Sequence, residues 1–142
     1  MKQIKRIVVI MAVLLGLTSL DVNAQCGGAT EKSKDATSIG IVIHSNDIET
    51  VWNVFRLANY AIGQGDTVTV FLLAKGVEVD NLVKENEDLN EQVETFLNNG
   101  GKVLGCGTCL TQRKNNEPQI CKLSSMADLY EIVKKNKIVL TF

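Results

Sequence analysis

Apolar positions along the chain fall into two alternating patterns: short unbroken runs, and longer stretches in which apolar residues return every three or four places. Ile39-Gly40-Ile41-Val42-Ile43 and Thr67 to Leu73 are β-branched, continuous runs, the pattern of strands buried on both faces of a parallel sheet. Lys102 to Gly105, Gln119 to Lys122 and Lys137 to Phe142 predict three further, shorter strands. Between the first two runs, Val51, Val54, Phe55, Ala58, Ala61 and Ile62 keep helical spacing behind a cap at Asn46 or Asp47, with Trp52 beside the stripe as core or subunit contact. Leu82, Leu89, Val93, Phe96 and Leu97 give a second helical stripe, which Asn98-Asn99-Gly100-Gly101 stops. Glu85, Glu87, Asp88, Glu91 and Glu94 lie mostly off that stripe and read as a solvated face. A short helix or turn is expected over Leu110 to Asn116, and a last helix over Met126, Leu129, Tyr130 and Val133 behind Ser124-Ser125. Strands alternating with helices predict βα units and a three-layer α/β/α sandwich around a mainly parallel five-stranded sheet.

The first 24 residues break the pattern. Lys2, Lys5 and Arg6 precede the apolar run Ile7 to Leu17, and Val22-Asn23-Ala24 supplies small residues at a cleavage position. The run is shorter than the ~20 residues that span a bilayer. Residues 1–24 are therefore expected to be a removable signal peptide, 25–37 a flexible leader carrying Cys26, and 38–142 one α/β domain. Gln25 is not the small residue that lipid attachment at Cys26 would need. The expected destination is periplasmic or secreted, with no membrane association once the signal is gone.

Charge narrows the partners. Without the signal, 12 basic residues face 15 acidic ones, a net charge of −3, which argues against nucleic acid because a phosphate-binding surface needs a basic excess. Neither a phosphate loop nor a dinucleotide fingerprint is present, so no cofactor is expected.

Candidate chemistry gathers in Val103-Leu-Gly-Cys-Gly-Thr-Cys-Leu110. In open parallel sheets, reactive groups collect beyond the carboxyl ends of the strands. His44 follows the first strand, Cys106 the third, and Cys121 is expected near the end of the fourth. A thiol in the first turn of a helix meets unpaired N–H groups that favour thiolate. Gly105 and Gly107 are expected to leave the Cys106 sulfur open to approach, Cys109 to sit one turn along on the same face, and Arg113 to contact an anionic sulfur species. Two close cysteines with a third and a histidine also admit a soft-metal set of Cys106, Cys109, Cys121 and His44, although no resident metal is expected.

The Cys-Gly-Thr-Cys-Leu loop resembles the active loop of the DsrE/DsrF-like family, above all the DsrE-like domain of YedF-type proteins. The likeness takes in Gly40-Ile-Val-Ile-His-Ser-Asn46, Val70-Phe-Leu-Leu-Ala-Lys-Gly-Val77 and Leu123-Ser-Ser-Met-Ala-Asp-Leu-Tyr-Glu-Ile132, from about Ser38 to Phe142. The resemblance implies a flavodoxin-like domain that forms trimers or hexamers. It also implies a sulfurtransferase-like relay in which Cys106 accepts sulfane sulfur as a persulfide from a small sulfur species or a donor protein. Cys109 is a second thiol that many such carriers lack. It would resolve or support the persulfide, with Arg113, His44, Gly105, Gly107 and Thr108 on the substrate side. A thiol–disulfide redox module using Cys106 and Cys109, and a soft-metal or small-ligand binder, are the alternatives.

Overall fold

The computed structural model describes residues 35–142; the expected signal segment, Cys26 and most of the leader lie outside the described residues. The chain runs β1 (Ser38–Ile43), α1 (Ile48–Gly63), β2 (Thr67–Leu72), a 3-10 turn (Ala74–Glu78), α2 (Val79–Glu85), α3 (Glu87–Asn98), β3 (Lys102–Cys106), α4 (Gly107–Gln112), β4 (Lys122–Ser124), α5 (Met126–Lys135) and β5 (Ile138–Thr141). All four strand pairings are parallel, in the order β4-β3-β2-β1-β5. The three-layer α/β sandwich expected from the sequence is therefore the observed fold.

That order fixes which helix covers which face. Steps from β1 to β2, β3 and β4 all run in one direction across the sheet, so right-handed crossovers put α1, α3 and α4 on one side. The return from β4 to β5 runs the other way and puts α5 on the opposite side. On the first side, Phe55 of α1 and Phe96 of α3 meet edge to face with ring centres 5.6 Å apart, a geometry that adds ~1 kcal/mol to area burial. On the second, Ile132 of α5 closes on Gly40 so tightly that a Cβ there would overlap it.

Asp47 caps α1 by accepting from the Thr50 N–H. Ser125 caps α5 in a reciprocal box with Asp128. The single helix expected over Leu82 to Leu97 is two helices. Asn86 adopts extended angles and its side chain accepts from the Leu89 N–H, so it starts α3 in the middle of a continuous apolar stripe. The helix expected over 110–116 is displaced to 107–112. Helices α1 and α3 end on 6→1 and 5→2 hydrogen bonds with left-handed glycines, Gly65 and Gly100. Helix α4 ends the same way with Lys114 in the left-handed position, so no glycine marks its end.

The fourth strand also moves, from 119–122 to 122–124. The backbone N–H groups of Gln119 and Ile120 both donate to the carboxylate of Asp80 at 3.0 Å, which holds the segment in an irregular path. Trp52 is half-buried with the Arg56 guanidinium 4.4 Å from its ring centre. Among the described residues, no helix is long and apolar enough to cross a membrane. An exposed apolar stripe remains on α5, with Met126, Tyr130 and Val133 one turn apart, close in sequence to exposed Leu123.

Candidate functional site

Cys106 is the last residue of β3 and pairs with Ser124, the last residue of β4. Beyond β3 the chain turns to one face of the sheet, and beyond β4 it turns to the other. The carboxyl ends of β3 and β4 thus form the topological switch point, where α/β sheets open a crevice for ligands. The sequence predicted the strand end; the strand order adds the reversal of crossover direction beside it.

The Cys106 thiol is nevertheless 3% exposed, contrary to the expectation that flanking glycines leave it open. Both glycines serve close packing instead. A Cβ on Gly105 would collide with the Cys121 sulfur and lie 3.0 Å from Leu110 Cδ1, and a Cβ on Gly107 would lie 3.3 Å from the Ser124 carbonyl oxygen. These neighbours press onto the backbone at two points that a side chain would hold apart. Thr108 is exposed.

Cys106 is the N-cap of α4, and Cys109 lies half-buried in the first turn. Helix α4 has six residues, too few for a strong dipole, so hydrogen bonds set the chemistry of the pair. The Cys109 thiol is raised above its ordinary range, first by burial and next by its hydrogen bond to Cys106; the Ala74 N–H and the Arg113 charge pull the other way. A thiol raised by a bond to its neighbour is one that keeps its proton and donates it. Cys109 thus donates to the Cys106 sulfur, and both sulfurs are free rather than joined.

The 3-10 turn after β2 frames this pair. Ala74 sits at φ +50°, a left-handed conformation that costs a non-glycine residue ~1–2 kcal/mol, and it aims its N–H at the Cys109 sulfur. Two residues on, Gly76 crosses the carbonyl of Ile43 so closely that any side chain would strike it. The turn ends at Glu78, whose Oε1 accepts from Arg113 Nε at 2.6 Å and whose Oε2 accepts from Asn46 Nδ2 at 2.8 Å. Arg113 Nη1 also donates to the Cys109 carbonyl at 3.3 Å. Arg113 therefore stands beside Cys109, with part of its guanidinium committed to Glu78. The Glu78 carboxyl is held below its usual range, first by the bond from Arg113 and then by that from Asn46.

The other candidates separate. His44 is exposed at the end of β1, its N–H donating to the Phe142 carbonyl at 2.8 Å. Cys121 precedes β4 instead of ending it, so it misses the carboxyl edge. It is buried against Gly105, and burial, aided by the nearby Asp80 charge, pushes its thiol from 9.0 up to about 11. At neutral pH it is an inert packing group. Among the described residues, no three His, Cys, Asp or Glu side chains are grouped to hold a metal ion, so the soft-donor set of Cys106, Cys109, Cys121 and His44 is not assembled.

Three contributors escaped the sequence reading: Ala74, Glu78 and Asp80. Asp80 is 6% exposed and accepts three hydrogen bonds, from Asn115 Nδ2 and from the Gln119 and Ile120 N–H groups, thereby shaping the loop between α4 and β4. Asp80 lying among Val77, Val79, Leu82 and Val83 was the available signal, because a buried carboxylate needs such donors.

Comparison with known proteins matches residues 38–142 to the DsrE/DsrF-like family. An uncharacterised protein of Methanocaldococcus jannaschii is 31% identical over 100 residues, covering 66% of this chain and 88% of its own. A conserved protein of unknown function from Bacteroides thetaiotaomicron has a similar solved structure, with TM-score 0.63 and 17% identity over 75% of this chain and 95% of its own. At that identity the likeness is one of fold.

Proposed function

The chain belongs to the DsrE/DsrF-like family, whose character is of the sulfur-relay type, and from that premise we propose that it is an exported handler of sulfane sulfur with Cys106 as the acceptor. The observation that carries this reading is a thiol at the β3/β4 switch point, supported by a hydrogen bond from Cys109. In the proposed step, the Cys106 thiolate attacks the outer sulfur of a small or protein-borne persulfide. A Cys106–S–SH bond forms, and the donor leaves as its thiolate. Cys109 then either holds that persulfide by hydrogen bonding or, once deprotonated, attacks the inner sulfur to give a Cys106–Cys109 disulfide and hydrosulfide.

Mass analysis of the protein isolated from its own compartment and exposed to a persulfide donor tests both halves of the proposal. The expected result is a chain starting at Gln25 whose Cys106 peptide carries one added sulfur atom. An uncut chain removes export, and added sulfur confined to other cysteines removes the acceptor assignment.

The hydrogen bond between two free thiols also favours a second reading, a dithiol redox couple. Turnover of a disulfide substrate without sulfur loading would select it. The proposal extends to assembly as a homo-oligomer in which a second copy covers Met126, Tyr130 and Val133, since apolar side chains aligned on one helix face mark association sites. Light scattering should report a multimer for the native chain and a monomer for Tyr130→Glu; a monomeric native chain defeats this part.

A further inference from the structure

Cys106 is covered at 3% exposure, yet an acceptor must meet its donor, so some element over it has to yield. The 3-10 turn Ala74–Glu78 packs against both β3 and α4. Its beginning touches Cys109 through the Ala74 N–H. Its end is tied by one carboxylate to two separate elements, Arg113 at the close of α4 and Asn46 in the loop between β1 and α1. We infer that Glu78 is a positioning residue that latches this turn and α4 over Cys106, and that opening the Glu78–Arg113 and Glu78–Asn46 contacts admits the sulfur donor. The inference rests on the proposed role of Cys106 and adds how access to it is regulated.

Three features of the geometry favour a latch over a fixed wall. The Arg113 and Glu78 side chains are 28% and 30% exposed, so water can take over their hydrogen bonds as they part. Ala74 holds a left-handed backbone at the opposite end of the turn, and such strain persists only while surrounding contacts enforce it. Arg113 also holds the Cys109 carbonyl, so its release frees the last turn of α4 at the same time. By contrast, the loop carrying Cys121 is pinned by a different carboxylate, Asp80. Cys121 therefore provides an internal reference for general loosening.

The experiment measures alkylation rates of Cys106, Cys109 and Cys121 by peptide mass analysis with N-ethylmaleimide, in the full-length chain and in Glu78→Ala and Glu78→Gln. Labelling of Cys106 is expected to accelerate at least roughly tenfold in Glu78→Ala, the change in open fraction that loss of charge-assisted hydrogen bonds produces. Cys121 labelling should stay at the native rate. Unchanged Cys106 labelling overturns the latch, as does a parallel rise at Cys121. If Glu78→Ala fails to fold, the same comparison is made with Glu78→Gln, which keeps the shape and removes the charge. Alkylation needs no sulfur donor, so failure of sulfur loading in the native chain would count against the acceptor role alone, and loading with unchanged labelling against the latch alone.

Discussion

Serine at Cys106 is expected to reduce sulfur loading to background, whereas serine at Cys109 should leave loading intact and prolong the life of the loaded protein. The asymmetry follows from the hydrogen bond between the two sulfurs. Cys109 is the partner that keeps its proton, raised by burial and by its bond to Cys106, and Cys106 is the sulfur at the strand end that receives that bond. A hydroxyl at Cys106 has no comparable nucleophilicity at neutral pH. A hydroxyl at Cys109 still donates to the Cys106 sulfur but cannot displace hydrosulfide from a persulfide. Sulfide released per loaded chain, measured after addition of a persulfide donor, should therefore fall to background in Cys109→Ser while the added sulfur persists on the Cys106 peptide. Equal sulfide release from native and Cys109→Ser protein would remove the resolving role, and equal loading of Cys106→Ser would remove the acceptor role.

Gly76→Ala is expected to be the most damaging single methyl group in the domain, at about 3 kcal/mol or more of stability. A Cβ at residue 76 would strike the Ile43 carbonyl oxygen and come within 2.8 Å of the Ile43 carbonyl carbon. Both are backbone atoms at the end of a central strand, so no rotamer change relieves the overlap. That carbonyl already accepts the Leu73 N–H at 2.8 Å, and Gly76 donates to the Leu73 carbonyl at 2.8 Å. Moving the turn away therefore breaks the Leu73–Ile43 hydrogen bond that joins it to β1. The melting temperature should drop by roughly 10 °C or more. Gly63→Ala, at the last position of α1 with nothing within 4 Å of its Cβ, serves as the reference and should hold or gain stability by up to ~1 kcal/mol. Similar melting temperatures for the two variants would show that the turn can shift freely.

The parts of the fold visible in the sequence are those set by local pattern. β1 was legible because both of its faces are buried from Gly40 to Ile43, and β2 because Val68 to Leu72 is β-branched or apolar throughout. α1 was legible because its cap, stripe and glycine stop agree. Elements shaped by distant partners were not. The register of β4 depends on Asp80, about forty positions upstream, and nothing in Gln119-Ile-Cys-Lys122 records it. The break at Asn86 interrupts a stripe that is apolar on both sides, so periodicity ran through it. At the site, Cys106, Cys109 and Arg113 were recognisable from the loop that carries them. Their setting was not, because Glu78 acts across 35 positions and Ala74 through a backbone N–H, which any residue but proline possesses. The burial of Cys106 had the same origin: glycine reads as openness in a sequence, whereas here it permits close approach.

The place of β5 bears on how the protein is made. Its partner is β1, joined through Ile39 to Val42, with His44 and Val42 exchanging hydrogen bonds with Phe142 at the last residue of the chain. One long edge of β1 therefore has no partner until β5, about a hundred positions later in the sequence, has docked. Pairing at such sequence separation slows folding, and an open apolar edge is a template for foreign strands. Before β5 docks, the hazard of the domain is the Ile39–Ile43 edge, and removal of Ile138–Thr141 would leave that edge permanently open.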